Sequence, residues 1–409
     1  MVKEGLKFNR MELAGALGDI GTLFPLAIAL ITINGLNPTS VFLVVGLVYI
    51  GAGLYYRIPM PVQPLKAVAA IAIAARTSPE VIASAGLIMG LLLPVFWIKR
   101  VADFLQRVFT RPIVRGIQLG IGLILVQRGA RLIFGERFFL NGAGAILSLG
   151  GIPVSILVAS VGAGLLLLFR RNGRWPASIL IISFGILVGL LGQDSYSLAL
   201  GPLGPQLFSP TIESLWAAFI LIVIPQLPLT VGNAIVATTD TARTYFGQRA
   251  DRVSPRSLPV SMSLGNIVAG LFMAMPVCHG SGGLTAHYKF GARTGGANLM
   301  IGGLCLILAL LLGKAAVPVL STIPLPIIGL LLVYVGLNHA LFVRDLVAKR
   351  DFLLALGVGL VAVIAQNPAF GFGAGIAFNM VLKLKAGFLW RTIAGLQKEV
   401  EEPVSYGDE

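Results

Sequence analysis

Two short stretches hold most of the side chains that could do chemistry in this chain: Met60-Pro-Val-Gln-Pro-Leu-Lys66 and Met275-Pro-Val-Cys-His-Gly-Ser-Gly-Gly-Leu284. Each interrupts an apolar run. A proline, a polar turn and the glycines Gly280, Gly282 and Gly283 do not carry a helix through. Inside a membrane such an interruption is tolerated only where its backbone is buried in protein or lines a watery cavity. The shared Met-Pro-Val suggests one element used twice. A plain loop between helices is the competing reading.

The chemistry on offer is anion binding. If a half-helix follows each stretch and the two N-terminal ends face one space, each end contributes roughly half a positive charge. With the Lys66 ammonium the sum is about +2, suited to a small dianion. Gly280 and Gly282 let backbone N–H groups come close to a ligand. Ser281 offers a hydroxyl, and Gln63 offers two amide hydrogens. Asp19 and Thr22, in the polar interruption Gly18-Asp19-Ile20-Gly21-Thr22, would flank the same space, as would Gln226 and Asn233 around Pro225 and Pro228. The expected substrate-binding set is therefore Gln63, Lys66, Gln226, Gly280, Ser281, Gly282, Asp19, Thr22 and Asn233.

Blander roles compete at each position. A lysine at membrane depth is costly and usually functional, but Lys66 could be neutralised by Asp19 or reach away to an interface. The glycines around Ser281 could simply allow close packing, and Gln226 and Asn233 could join helices. Asp19, a lone membrane acid, and His279 are the candidates for coupling to protons. His279 and His287 lack the further ligands of a zinc site. Cys278 and Cys305 give neither a disulfide framework nor ligand spacing. No metal, no cofactor and no enzymatic activity are expected, because no nucleophile–base pair lies at membrane depth.

The elements that must position these residues are membrane helices. Of 409 residues, 56% are hydrophobic and only 12% charged, and several runs approach the roughly 20 apolar residues that cross a bilayer core. The reading is an all-α polytopic membrane protein of about fourteen segments. The third and tenth are broken. One is an extended stretch over 59–63 followed by a half-helix over 64–75, and the other has its half-helix over 281–291. Residues 10–195 and 212–385 form two repeats of seven, joined by a Gly/Pro/Ser-rich loop. Residues 386–409 form an interfacial helix around Trp390 and an acidic tail. Phe24-Pro25-Leu26 in the first segment matches Leu227-Pro228-Leu229 in the eighth. An odd count per half inverts the second repeat, and broken helices at matching places in inverted repeats point to a transporter's substrate site.

Charge tests the topology. The net charge of +14 is scattered over short loops, which fits membrane orientation better than nucleic-acid binding. With the N-terminus inside, nearly all Lys and Arg fall on the cytoplasmic side. The exceptions are Arg76, Arg128, Arg131, Arg137 and Lys314, with Lys66 left at membrane depth. Both termini are then cytoplasmic, in a multi-pass protein of the cell membrane. The bilayer is its medium and a homodimer one admissible assembly.

At these motifs the chain resembles the molybdate transporter family, relatives of the sulfate permeases. The matching stretches are Gly18-Asp19-Ile20-Gly21-Thr22, Pro61-Val62-Gln63-Pro64-Leu65-Lys66, Pro225-Gln-Leu-Pro-Leu-Thr-Val-Gly-Asn-Ala234, and Met275 to Leu284 continuing through Tyr288-Lys-Phe-Gly-Ala-Arg293. The resemblance implies the seven-plus-seven inverted fold of sulfate and uracil permeases. It implies a core (segments one to four and eight to eleven) moving against a gate. It also implies molybdate as the imported substrate, with tungstate and sulfate as related dianions. Two departures stand out. Those permeases usually carry a carboxylate on the eighth segment, where Gln226 is the nearest match. Sulfate permeases also continue into a folded cytoplasmic domain, where this sequence has a short tail after Lys383. A sulfate transporter of the same fold and an anion channel are the alternative functions.

Overall fold

The computed structural model describes residues 5–98, 100, 110–135, 137–139, 148–149, 151–169, 177–191, 199–204, 206–368 and 370–379. The expected interfacial helix and tail over 386–409 lie outside the described residues. The chain is mostly helical. Six described helices are long and apolar enough to cross a membrane, or seven if a bent pair counts as one span.

That bent pair opens the chain. Helix α1 (Arg10–Gly18) starts where the Asn9 side chain accepts from the amides of Met11 and Glu12, both at 3.0 Å, satisfying orphan donors of the first turn. The axis bends by 49° before α2 (Ile20–Asn34), and Asp19 sits in the bend. Pro25 lies inside α2, where its missing N–H frees a carbonyl of the preceding turn. Asn37 caps α3 (Pro38–Tyr56) by accepting from Ser40.

The two interrupted stretches form one element. Strand β1 (Gln63–Pro64) pairs antiparallel with a second, Val277–Cys278, so that Gln63 lies opposite Cys278 and Pro64 opposite Val277. The Leu65 amide donates to the Pro276 carbonyl at 2.9 Å. The half-helix α4 (Lys66–Ala75) follows β1, so it begins two residues later than expected. Pro64 belongs to the strand rather than to the first helical turn.

Helix α5 (Pro79–Leu92), the long α6 (Arg111–Ile133), a hairpin of β2 (Ser148–Leu149) with β3 (Ile152–Pro153), α7 (Val154–Phe169) and α8 (Ala177–Leu191) complete the first part. A continuous helical run over Ile212–Ala250, α9, opens the second. Phe219–Val223 and Thr230–Ala237 within it are wound as π-helix, on either side of Pro225 and Pro228. A proline removes the i→i−4 bond, and π turns inside α-helices mark functional sites more often than chance. Then come α10 (Ser257–Leu271), β4 (Val277–Cys278), α11 (Ser281–Lys289), α12 (Gly296–Ser321), α13 (Leu325–Ala340) and α14 (Lys349–Ile364).

A second difference concerns Lys314, which the charge count put in an outside loop: it lies within α12, which runs on to Ser321. The break falls instead at Thr322-Ile323-Pro324, because Pro324 cannot continue the ladder. Small residues set the helix spacing. A Cβ on Gly122 would strike the Gly336 carbonyl and Ala340, and one on Gly129 would strike the Gly329 carbonyl. Helices α6 and α13 therefore touch backbone to backbone, as in small-residue contacts in bilayers. Large apolar side chains such as Leu168, Leu191 and Ile364 are exposed, as expected of a surface that meets lipid rather than water.

Candidate functional site

The site is built around the β1–β4 bridge, whose backbone must be satisfied without water. Two asparagines do this in parallel. The Asn298 side chain accepts from the Met60 amide at 2.8 Å and donates to the Met60 carbonyl at 2.6 Å. That of Asn266 accepts from Val277 N at 2.9 Å and donates to Val277 O at 2.7 Å. Each Met-Pro-Val thus has its own amide clamp, and both clamps are fully buried.

In front of the bridge, four groups converge. A Cβ placed on Gly280 would lie 3.0 Å from Gln63 Oε1, 3.5 Å from Asn233 Nδ2 and 3.8 Å from Lys66 Nζ. Gly280 is also the N-cap of α11 and has no side chain to cap it, so the first N–H groups of α11 open onto the same space. The Ser281 hydroxyl donates to Asn233 Oδ1 at 2.8 Å. This leaves the Asn233 amide hydrogens for the space before Gly280. Gly282 is exposed, with nothing within 4 Å of its Cβ position. Lys66, Asn233 and Ser281 are half-buried, whereas Gln63 is buried.

Gln63 does not present two donors. Its Nε2 donates to Asp19 Oδ1. A carboxylate only accepts, so the amide must turn its nitrogen to Asp19 and its oxygen to the space before Gly280. That Oε1 is buried without a hydrogen-bond partner. Asp19 is likewise engaged elsewhere than on Lys66. Its Oδ2 accepts from the Tyr49 hydroxyl at 2.5 Å, and His287 Nε2 stands 3.7 Å away. Asp19 therefore orients Gln63 from behind rather than facing the space itself.

Gln226 is also not a bare ligand. Its Oε1 accepts from Ala67 N at 2.8 Å and lies 3.4 Å from Val68 N, and its Nε2 donates to the Thr230 hydroxyl at 3.0 Å. It caps α4 from α9, so the two half-helix ends are unlike: α4 is capped and α11 is open. Thr22 is half-buried, with its amide on the Asp19 carbonyl at 3.0 Å. His279 is a satisfied buried residue. Its Nδ1 donates to the Pro61 carbonyl at 2.8 Å, and its Nε2 pairs with the Ser261 hydroxyl at 2.9 Å. With Tyr56 it borders a separate apolar cavity of about 710 Å³ between α3 and α10.

Sequence reasoning gave no role to Tyr49, Asn266 and Asn298, and weighed His287 only as a zinc ligand. A usable signal existed for His287: it lies four residues after Gly283, hence on the same helix face. That face is pressed on the Asp19–Gln63 pair, since a Gly283 Cβ would sit 2.5 Å from Gln63 Nε2 and 2.7 Å from Asp19 Oδ1. No group of three or more metal-ligating side chains occurs among the described residues.

The same fold occurs in the transmembrane domain of a cyanobacterial bicarbonate transporter, BicA (TM-score 0.65, 17% identity, 90% of this chain and 97% of that one). It occurs too in the murine anion transporter Slc26a9 in its inward-facing state (TM-score 0.63, 17% identity, 94% and 69%). Bridged half-helices beside a cluster of polar groups lie inside a bundle of apolar helices, and the family matches that follow make this chain a multi-pass membrane transporter rather than an enzyme. A family profile described as "Molybdate transporter of MFS superfamily" matches residues 11–125 and 218–338. Molybdate transporters 2 and 1 of Arabidopsis thaliana are 29% and 30% identical to this chain over 91% of its length, covering 87% and 88% of their own. Molybdate transporter 1 of Chlamydomonas reinhardtii is 26% identical over 89% of this chain and 90% of its own. The chain belongs to the molybdate transporter family.

Proposed function

We propose that this protein is a secondary transporter carrying a tetrahedral oxyanion, molybdate first and tungstate or sulfate as competitors, through the space before Gly280. The carrying observation is the convergence there of Lys66 Nζ, Asn233 Nδ2 and the open end of α11. An ammonium, an amide donor and an unpaired helix N-terminus together favour negative charge. The α4 end adds less than expected, because Gln226 already occupies it. The names of the curated relatives support molybdate as the anion. Gln63 Oε1, an acceptor beside the Gly280 position, suits the Lys66 ammonium as partner. We further read the chain as fourteen segments in two inverted sevens, working by alternating access with the bridged half-helices in the moving core and both termini cytoplasmic.

The test is uptake of labelled molybdate into proteoliposomes. Uptake should saturate, and Lys66→Ala should weaken apparent affinity about tenfold or more in protein that still purifies as a single species. An unchanged Lys66→Ala curve would remove the site. Non-saturating flux would indicate a channel. Abolition by an equal concentration of sulfate would replace molybdate with sulfate as the preferred anion.

A further inference from the structure

His287 is wholly buried on α11. Its Nδ1 is 2.8 Å from the Gly15 carbonyl, and a carbonyl only accepts, so Nδ1 carries a hydrogen. Its Nε2 has no hydrogen-bond partner and stands 3.7 Å from Asp19 Oδ2. Both Asp19 oxygens stand as acceptors, Oδ1 toward the Gln63 amide and Oδ2 toward the Tyr49 hydroxyl. A neutral His287 therefore aims a lone pair at an acceptor oxygen 3.7 Å away, with both side chains fully buried. One proton on Nε2 resolves this, giving an imidazolium against a carboxylate.

We infer that His287 and Asp19 form the proton-binding site of this transporter, read out at the oxyanion space through Gln63. The inference rests on the reading of that space given above. When Nε2 carries its proton, the imidazolium competes with Tyr49 for Asp19 Oδ2 and draws charge away from Oδ1, so the hold on the Gln63 amide loosens. Its donor end is then free to turn toward the space before Gly280. Without the proton, Asp19 keeps the Gln63 nitrogen and leaves only its oxygen facing the anion. Proton and anion thus favour one another, and such linkage is reciprocal.

The surroundings hold few other charges that could do this. From α1, Glu12 is buried and accepts from the Arg293 amide at 3.1 Å, while Arg293 donates to the carbonyls of Tyr288 and Ala292. From α3 comes Tyr49, already on Asp19, and from α4 comes Lys66, beyond Gln63. From α9, Tyr245 stacks on Tyr288 and bonds Thr285, and Asp240 and Arg243 are exposed. On α11 itself Lys289 is exposed.

The experiment measures molybdate binding by purified wild-type protein and His287→Asn from pH 5.5 to 8.5. Proton exchange on mixing is read with an indicator dye in weak buffer. The Asn amide can still donate to the Gly15 carbonyl but cannot titrate. Wild type should take up a proton with molybdate and weaken as pH rises, by at most about tenfold per pH unit for one linked proton. His287→Asn should bind molybdate with a flat profile and no proton uptake. A variant that keeps wild-type uptake and slope overturns the proton site. A wild type that binds no molybdate at any pH overturns the oxyanion reading instead. If His287→Asn does not fold, the three histidines of the chain can be labelled with ¹⁵N in wild type. One ring nitrogen should gain a proton on adding molybdate, and if none of the three changes the proposal is lost.

Discussion

The sharpest consequence of the site geometry concerns one methyl group. Gly280→Ala would put a Cβ 3.0 Å from Gln63 Oε1, 3.5 Å from Asn233 Nδ2 and 3.8 Å from Lys66 Nζ, in the middle of the proposed anion space. The backbone there is extended, with φ −128° and ψ 136°, a conformation alanine adopts without strain. Removing a glycine at such a position raises stability by about 0.4–1 kcal/mol through the unfolded chain, offset here by the shift that the 3.0 Å contact demands of the Gln63 amide, so Tm should stay near that of wild type. Binding should behave otherwise. The methyl group holds the anion off the α11 N–H groups or off Lys66, forfeiting at least one hydrogen bond to a charged partner, worth about 1.5–3 kcal/mol. That is about a ten- to 150-fold rise in Kd. Titration calorimetry with molybdate gives the Kd, and thermal unfolding of the same sample gives the fold. Gly283→Ala is the contrast, since its Cβ would sit 2.5–2.7 Å from Gln63, Pro61 and Asp19 and should lower Tm as well. If Gly280→Ala binds molybdate like wild type, the anion does not sit where these groups converge.

Gln226→Leu strips the cap from Ala67 N and Val68 N, buried donors that cost about 1–3 kcal/mol when unpaired. Its Tm should fall, whereas Gln226→Glu should keep the cap yet weaken molybdate binding by adding a negative charge behind α4. His279→Gln should lower Tm by disturbing the Pro61 and Ser261 bonds, with the pH profile of binding unchanged; a flattened profile would move the proton site to His279. Gly122→Leu should abolish folded yield, judged by size-exclusion chromatography, because α6 has no room for a side chain against Gly336 and Ala340. A normal elution profile would contradict the backbone contact.

What the sequence made legible was whatever proline, glycine and charge announce locally. The two interruptions, the half-helices after them and the oddity of Lys66 in an apolar run all follow from residue types read over ten positions. Pro324, which follows the end of α12, was in plain view too, but the charge on Lys314 drew an outside loop into what is one helix. The roles of the amides were not legible. Gln63, Gln226 and Asn233 each have a donor end and an acceptor end, and how each end is used depends on partners 44, 159 and 48 residues away. Asp19 fixes Gln63, the end of α4 takes Gln226, and Ser281 fixes Asn233. His287 was weighed only as a zinc ligand for the same reason. Its meaning comes from Asp19, in the bend near the other end of the chain.

The β1–β4 bridge also constrains how the protein can be made. Pro64 and Cys278 are 214 positions apart, and Asn298, which clamps Met60, comes later still. A ribosome that has delivered everything through α8 into the membrane has made Lys66 and the Met60–Gln63 backbone. The strand, the capping Gln226 and the asparagine that satisfy them do not yet exist. The early helices must wait with unpaired polar backbone shielded by the insertion machinery or by water at the bilayer edge. Fragments ending before residue 298 should therefore be poor survivors of membrane quality control, and supplying the second part as a separate chain should rescue them. The proposed anion site is in this sense complete only once Asn298 has been made, an assembly checkpoint as much as a place to bind.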